Sequence, residues 1–298
     1  MNITNKKNLA LLEAFVGYGI FGFSFIMSKS VLKFTDPYVL LGLRFALVFI
    51  VMNLLLLTGK FTINLKGKPV GYLFLLGIFQ PIIYFSCEMN GIKLLNTSLV
   101  GVLLALTPLI SMVLAIIFFN EKVNTIQKIS VIISIIGVAL TTIGQGETGG
   151  FNLKGFLLIM GAVIAAATYN LISRKSSSSF NAFEMTYAMF TIGFIYFSAV
   201  ALFKINGNYS EMLIQPLLKK ELWLSLIYLS CISSVGAFLL LNHAVSYLSV
   251  SKISVFTNVT TIISILAGVF ILKENFTIFQ ILGSIIIILG VYGANKDS

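Results

Sequence analysis

Apolar runs long enough to cross a bilayer, which takes roughly 20 helical residues, follow one another along almost all of this 298-residue chain with short polar segments between. Hydrocarbon offers the backbone no water, so each N–H and C=O must be paired within its own element, and runs spaced this closely read as helices. The runs lack period-2 alternation, which argues against a barrel. Hydrophobic residues make up 58% of the chain and charged residues 10%, against about 25% charged in a soluble domain. The expected class is an all-α, multi-pass membrane protein.

Reading the runs between polar punctuation gives ten spans, near 9–30, 37–58, 70–91, 97–119, 125–144, 153–173, 182–203, 222–246, 249–272 and 277–294. Asp36-Pro37 supplies a cap and a first-turn proline for the second span. Asn124 with Gln127, and Thr277 with Gln280, have the spacing of capping boxes opening the fifth and tenth. Lys6 and Lys7 before an apolar run outline a signal peptide, but no small-x-small cleavage site follows, so an uncleaved first helix is expected.

Residues 92–140 lie over residues 245–293 without a gap, at an offset of 153. Identical pairs include Ser98/Ser251, Thr107/Thr260, Ser111/Ser264, Glu121/Glu274, Gln127/Gln280 and Gly137/Gly290. The front ends fit a second offset of 145, which sets Lys29 over Arg174 and Asp36 over Asn181. A half-length period means one structural unit made twice, in segments 1–145 and 150–298. Five spans in each copy is an odd number, so the halves cross the membrane in opposite directions and form two inverted five-helix repeats.

A net charge of +10 would suggest nucleic acid in a soluble protein. Here most basic residues fall in short loops, where they orient helices and meet anionic lipid, so no nucleic-acid partner is expected. With the N-terminus inside, inner segments hold eleven Lys and Arg against eight outside, which favours both termini in the cytoplasm at the cell membrane. Cys87 and Cys231 sit inside apolar runs and read as buried thiols. One histidine and no acidic cluster leave no usual zinc site, and no cofactor motif such as GxxxxGK[ST] is present.

The stretch TPLISMVLAIIFFNEKVNTIQKISVIISIIGV resembles the EamA-type repeat of the drug/metabolite transporter superfamily. In that pattern a proline-containing helix runs to a loop Glu, then a Gln, then a late Gly. Pro108, Glu121, Gln127 and Gly137 match it, and Glu274, Gln280 and Gly290 match it again, with Thr261 where the second proline is expected. Lys29 and Arg44 look like recurrent basic positions of the same family. The resemblance covers essentially the whole chain. It implies ten helices, an inverted two-fold arrangement and carrier-type movement of small metabolites, with no particular substrate.

Ionisable residues within a span are costly and therefore candidates for function. Arg44 lies eight residues after Asp36, about 12 Å into the membrane at 1.5 Å per residue. Glu88 falls in the same leaflet, so the two form either a binding or proton-coupling pair or a structural ion pair, the alternative for Arg44 being a snorkel to the headgroups. Gly77, Gln80, Tyr84 and Glu88 make one stripe of the third span, and Pro81 removes a backbone hydrogen bond beside it. Ser251, Ser254, Asn258 and Thr261 make a comparable stripe in the ninth, and Thr97, Gly101, Pro108 and Ser111 in the fourth. Small and polar stripes also serve close helix packing, whereas the amides of Gln80 and Asn258 need several partners. Tyr169 and Asn170 are further cavity candidates. His243 is either a proton relay or a structural residue at a helix end.

The candidate substrate-binding set is thus Gln80, Tyr84, Glu88, Asn258, Ser111, Arg44 and Asn170, and the candidate coupling set Glu88 and His243. These residues suit a secondary transporter of small organic metabolites such as amino acids, acting as monomer or homodimer and more suited to export. The alternatives are a multidrug or cation efflux carrier, disfavoured by the scarcity of in-span acids, and a non-transporting membrane enzyme or scaffold, for which no catalytic constellation is visible.

Overall fold

A computed structural model describes residues 3–119, 125–147, 152–248 and 256–295. Its helices are α1 Ile3–Val31, α2 Pro37–Leu57, α3 Gly71–Leu94, α4 Thr97–Leu104, α5 Thr107–Phe119, α6 Thr125–Glu147, α7 Leu153–Ser176, α8 Ala182–Ile205, α9 Lys220–Ala244, α10 Thr257–Phe270 and α11 Ile278–Asn295. Among the described residues, seven stretches are long and apolar enough to cross a membrane: Lys6–Val31, Pro37–Leu57, Gly71–Leu94, Thr97–Leu114, Leu153–Ser176, Ala182–Ile205 and Lys220–Ala244. Shorter apolar helices, Lys128–Thr141, Thr257–Phe270 and Ile278–Gly293, occupy the fifth, ninth and tenth runs. Glu121, Asn124, Ser251 and Ser254 lie outside the described residues, as does the side chain of Gln127.

The helix starts follow the capping chemistry. Asp36 Oδ1 accepts the Tyr38 N–H at 2.8 Å ahead of Pro37. In the Thr277 box, Gln280 Oε1 accepts the Thr277 N–H at 2.8 Å and Thr277 Oγ1 accepts the Gln280 N–H at 3.3 Å. A further box, Asn181 with Glu184, opens α8, and Glu184 also pairs with Lys68 at 2.8 Å.

The two in-span prolines act differently. Pro108 has no N–H for the Leu104 carbonyl, and the helix breaks into a turn at Ala105 and Leu106. The Thr107 hydroxyl donates to that carbonyl instead, at 2.7 Å. Pro81 lies inside a π-helical segment of α3, Ile78–Phe85. A second such segment, Tyr228–Ala237 in α9, contains no proline.

Three pairs of helices far apart in the chain pack against each other antiparallel. Along α6 and α11, Ser130 meets Gly293, Ser134 meets Gly290 and Gly137 meets Gly283. Along α4 and α10, Ser98 meets Gly268 and Gly101 meets Ser264, with Thr261 Oγ1 donating to the Gly101 carbonyl at 3.0 Å. Along α2 and α8, Gly42 meets Ala201, Phe45 stacks on Phe197 with centroids 5.1 Å apart, and the Tyr187 hydroxyl donates to Asn53 at 3.1 Å. Small residues let these backbones approach closely, the usual source of helix association in lipid.

At the α6–α11 contact, a Cβ on Gly283 would stand 2.6 Å from the Gly137 carbonyl oxygen and 2.8 Å from the Thr141 nitrogen. Gly283→Ala is expected to destabilise the protein by about 1–3 kcal/mol through overpacking, read as a lowered thermal midpoint in detergent. Gly236→Ala, whose Cβ would meet only the Cys231 carbonyl at 3.5 Å, serves as the control and should leave the midpoint nearly unchanged.

Candidate functional site

Two cavities lie among the middles of the helices and share Gln80 and Tyr84 as lining residues. The larger, about 90 Å³, is walled by rings of Tyr18, Phe21 and Phe25 from α1, by Tyr169, Asn170 and Ser173 from α7, by Phe238 and Asn242 from α9, and by Thr257 and Thr260 from α10. The smaller, about 30 Å³, holds Arg44, Glu88, Ser24 and Ser233. Either has room for water, which needs at least about 10–15 Å³.

Arg44 is 1% exposed. Its Nε donates to Ser234 Oγ at 3.0 Å, its Cζ lies 4.4 Å from the centre of the Phe85 ring, and its backbone carbonyl accepts from Ser230 Oγ at 3.1 Å. Among the described residues its terminal nitrogens have no protein acceptor. Glu88 is also buried and accepts a short hydrogen bond from the Tyr84 hydroxyl one turn earlier. The direct ion pairs among the described residues are Lys68–Glu184 and His243–Glu13; Arg44 and Glu88 share a cavity without touching. Gln80, 5% exposed, and Asn170 both face the larger cavity, and neither amide has a protein partner among the described residues. An amide left so in apolar surroundings is costly unless something in the cavity answers it.

Asn258 and Ser111 line neither cavity, and each has a buried oxygen with no protein partner among the described residues. His243 lies next to Asn242 yet outside both cavities, with Nδ1 2.7 Å from Glu13 Oε2 and its ring against Tyr247. Asn242 is the residue sequence reasoning passed over. Buried to 1% exposure, its Oδ1 accepts from Tyr169 at 2.8 Å and Ser173 at 3.0 Å, and its Nδ2 donates to Thr186 at 2.9 Å. An amide within an apolar run was the available signal, the one that marked Gln80.

Charges outside the cavities fasten helix ends. Lys29 Nζ donates to the carbonyls of Ile92 and Leu95 at 2.6 and 2.7 Å, at the C-terminus of α3. Arg174 Nη1 does the same for Val245 at the C-terminus of α9, at 2.6 Å. Glu274 accepts from the N–H groups of Thr97 and Ser98 at 2.7 and 3.0 Å, and from the Ser98 hydroxyl at 2.8 Å. Each charge sits where the unpaired helix-end groups and the dipole favour it.

Among the described residues, an all-helical apolar bundle with stretches long enough to cross a bilayer defines a multi-pass membrane protein. The EamA-like transporter family matches residues 8–143 and again 153–296, and the chain belongs to that family. It is similar to the uncharacterized transporter YcxC of Bacillus subtilis (strain 168), 29% identical over 98% of this chain and 95% of that one. An uncharacterized transporter of Archaeoglobus fulgidus is 25% identical over 91% of this chain and 93% of its own. A solved crystal structure with a TM-score of 0.69, 18% identical and covering 97% of this chain and 99% of that one, shares the fold.

Removing the Asn242 amide strips an acceptor from two buried hydroxyls and a donor from a third. Asn242→Leu should cost about 2–4 kcal/mol and Tyr169→Phe about 1 kcal/mol, measured by SDS titration in mixed micelles. Equal costs for the two variants would show that Asn242 does not hold this network together.

Proposed function

We propose that this EamA-like protein is a secondary transporter that carries small organic metabolites, amino acids among them, across the cell membrane by alternating access. The observation that carries the reading is the lining of the smaller cavity by Gln80, Tyr84, Glu88 and Arg44 together, because ionisable groups buried within membrane spans are costly and by default mark a solute or ion path. Ten spans in two inverted five-helix repeats, 1–145 and 150–298, would supply two similar halves able to rock about that cavity. The antiparallel packing of α2 on α8, α4 on α10 and α6 on α11 supports this arrangement. Both termini then lie in the cytoplasm, and the direction that suits the site is export.

Arg44, Gln80, Tyr84, Glu88 and Asn170 are the proposed solute contacts, with Asn258 and Ser111 as further positions reached in another state of the cycle. Glu88 is the proposed coupling carboxylate, and His243 with Glu13 a second proton site near the helix end. An enzymatic reading has less support, because the family is one of transporters.

Purified protein in vesicles, loaded in turn with amino acids, nucleosides, vitamins and cationic drugs, should exchange at least one solute class. Glu88→Gln should cut proton-driven flux at least about tenfold, equivalent to about 1.4 kcal/mol of barrier, while counterflow persists. Exchange of none of the panel by folded protein would count against transport, and equal loss of flux and counterflow would move Glu88 from coupling to binding or folding.

A further inference from the structure

The smaller cavity holds opposite charges tethered apart. Arg44 is held by Ser234 of α9 and lies against the Phe85 ring of α3, and on that same α3 the Tyr84 hydroxyl holds Glu88, with no direct Arg44–Glu88 ion pair. Of the five N–H donors of a guanidinium, those on the two terminal nitrogens of Arg44 have no protein acceptor among the described residues, although the side chain is buried. Such a pair of parallel donors matches a carboxylate. A cation placed there would meet the guanidinium's own charge, and a phosphate dianion would bring more negative charge than one arginine balances.

The ionisable groups facing the two cavities are Arg44 from α2, Tyr84 and Glu88 from α3, Tyr18 from α1 and Tyr169 from α7. The other walls contribute amides, hydroxyls and rings. Arg44 and an ionised Glu88 sum to zero, and a bound carboxylate would take the site to minus one, which low-dielectric surroundings strongly disfavour. A proton on Glu88 returns it to zero.

Resting on the carrier reading of the same cavity, we propose that Arg44 binds a monocarboxylate only together with one proton on Glu88, so that anion and proton move in the same direction and export runs down the anion's own gradient. The proton comes from the medium, no covalent bond is made, and Tyr84 keeps its hydrogen bond to the carboxyl group. A net proton uptake on binding means that affinity rises as pH falls.

Benzoate, phenylalanine and benzylamine present one ring with an anion, a zwitterion and a cation, and suit a cavity lined by Phe21, Phe25 and Phe238. The full chain in detergent micelles, in weak buffer at about pH 8, should bind benzoate saturably and take up about one proton per site, with affinity tightening about tenfold per unit of pH fall. Glu88→Gln should bind benzoate with no proton uptake and no pH dependence. Arg44→Gln should lose benzoate binding while Arg44→Lys keeps part of it, both eluting as folded protein. Benzoate binding without proton uptake, proton uptake that survives Glu88→Gln, or preference for phenylalanine or benzylamine would each overturn the proposal. Vesicles that exchange solutes while the protein binds none of the three probes would overturn the carboxylate rule and leave the carrier standing. Vesicles that exchange nothing would overturn both.

Discussion

Hydrocarbon supplies no hydrogen bonds, so a polar group inside this bundle must be answered by the chain or by what the chain carries. Most of the molecule obeys the first half of that rule. The break before Pro108 is repaired by the Thr107 hydroxyl, the ends of α3 and α9 by Lys29 and Arg174, and the start of α4 by Glu274. Asn242 gathers Tyr169, Ser173 and Thr186 from two other helices into one satisfied network. The scaffold is therefore polar in many places and largely closed in its bonding, although Ser28, Thr35, Ser86, Thr97, Ser111 and Asn258 each keep a buried oxygen that no described residue answers.

The second half of the rule applies at the cavities. Arg44 spends one nitrogen on Ser234, Gln80 and Asn170 spend none of their amide groups on protein among the described residues, and Glu88 spends one oxygen on Tyr84. Placing an arginine at such depth costs about 3 kcal/mol on insertion scales. A chain that bears this cost while leaving the donors unspent fits the polar guest proposed for the cavity. The larger cavity beside it, walled by aromatic rings, gives the guest's apolar part a place to lie.

Much of this was legible in the sequence, for a physical reason. Gln80, Tyr84, Glu88 and Arg44 interrupt apolar runs, where each polar residue stands out by its cost, and helical spacing put three of them on one face. Asp36-Pro37 and Thr277-Gln280 marked helix starts because capping is local chemistry. The Asn242 network was not legible, because its partners lie 56 to 73 residues away. The π-helical segment of α9 was hidden for want of a proline. Asn258 and Ser111 read as cavity residues from their stripes, yet Asn258 is turned about the helix axis from the lining Thr257 and Ser111 lies one turn beyond the lining Thr107, a matter of packing that spacing alone leaves open.

In the proposed carrier one cavity is served by two faces of the membrane in turn. Cysteine accessibility addresses it directly: Asn170→Cys, in a chain whose Cys87 and Cys231 have been replaced by alanine, probed with a membrane-impermeant maleimide from either side of sealed, oriented vesicles. Alternating access requires labelling from both sides, each slowed when a transported solute is added to that side. Labelling from one side only, whatever solute or pH is applied, would contradict it.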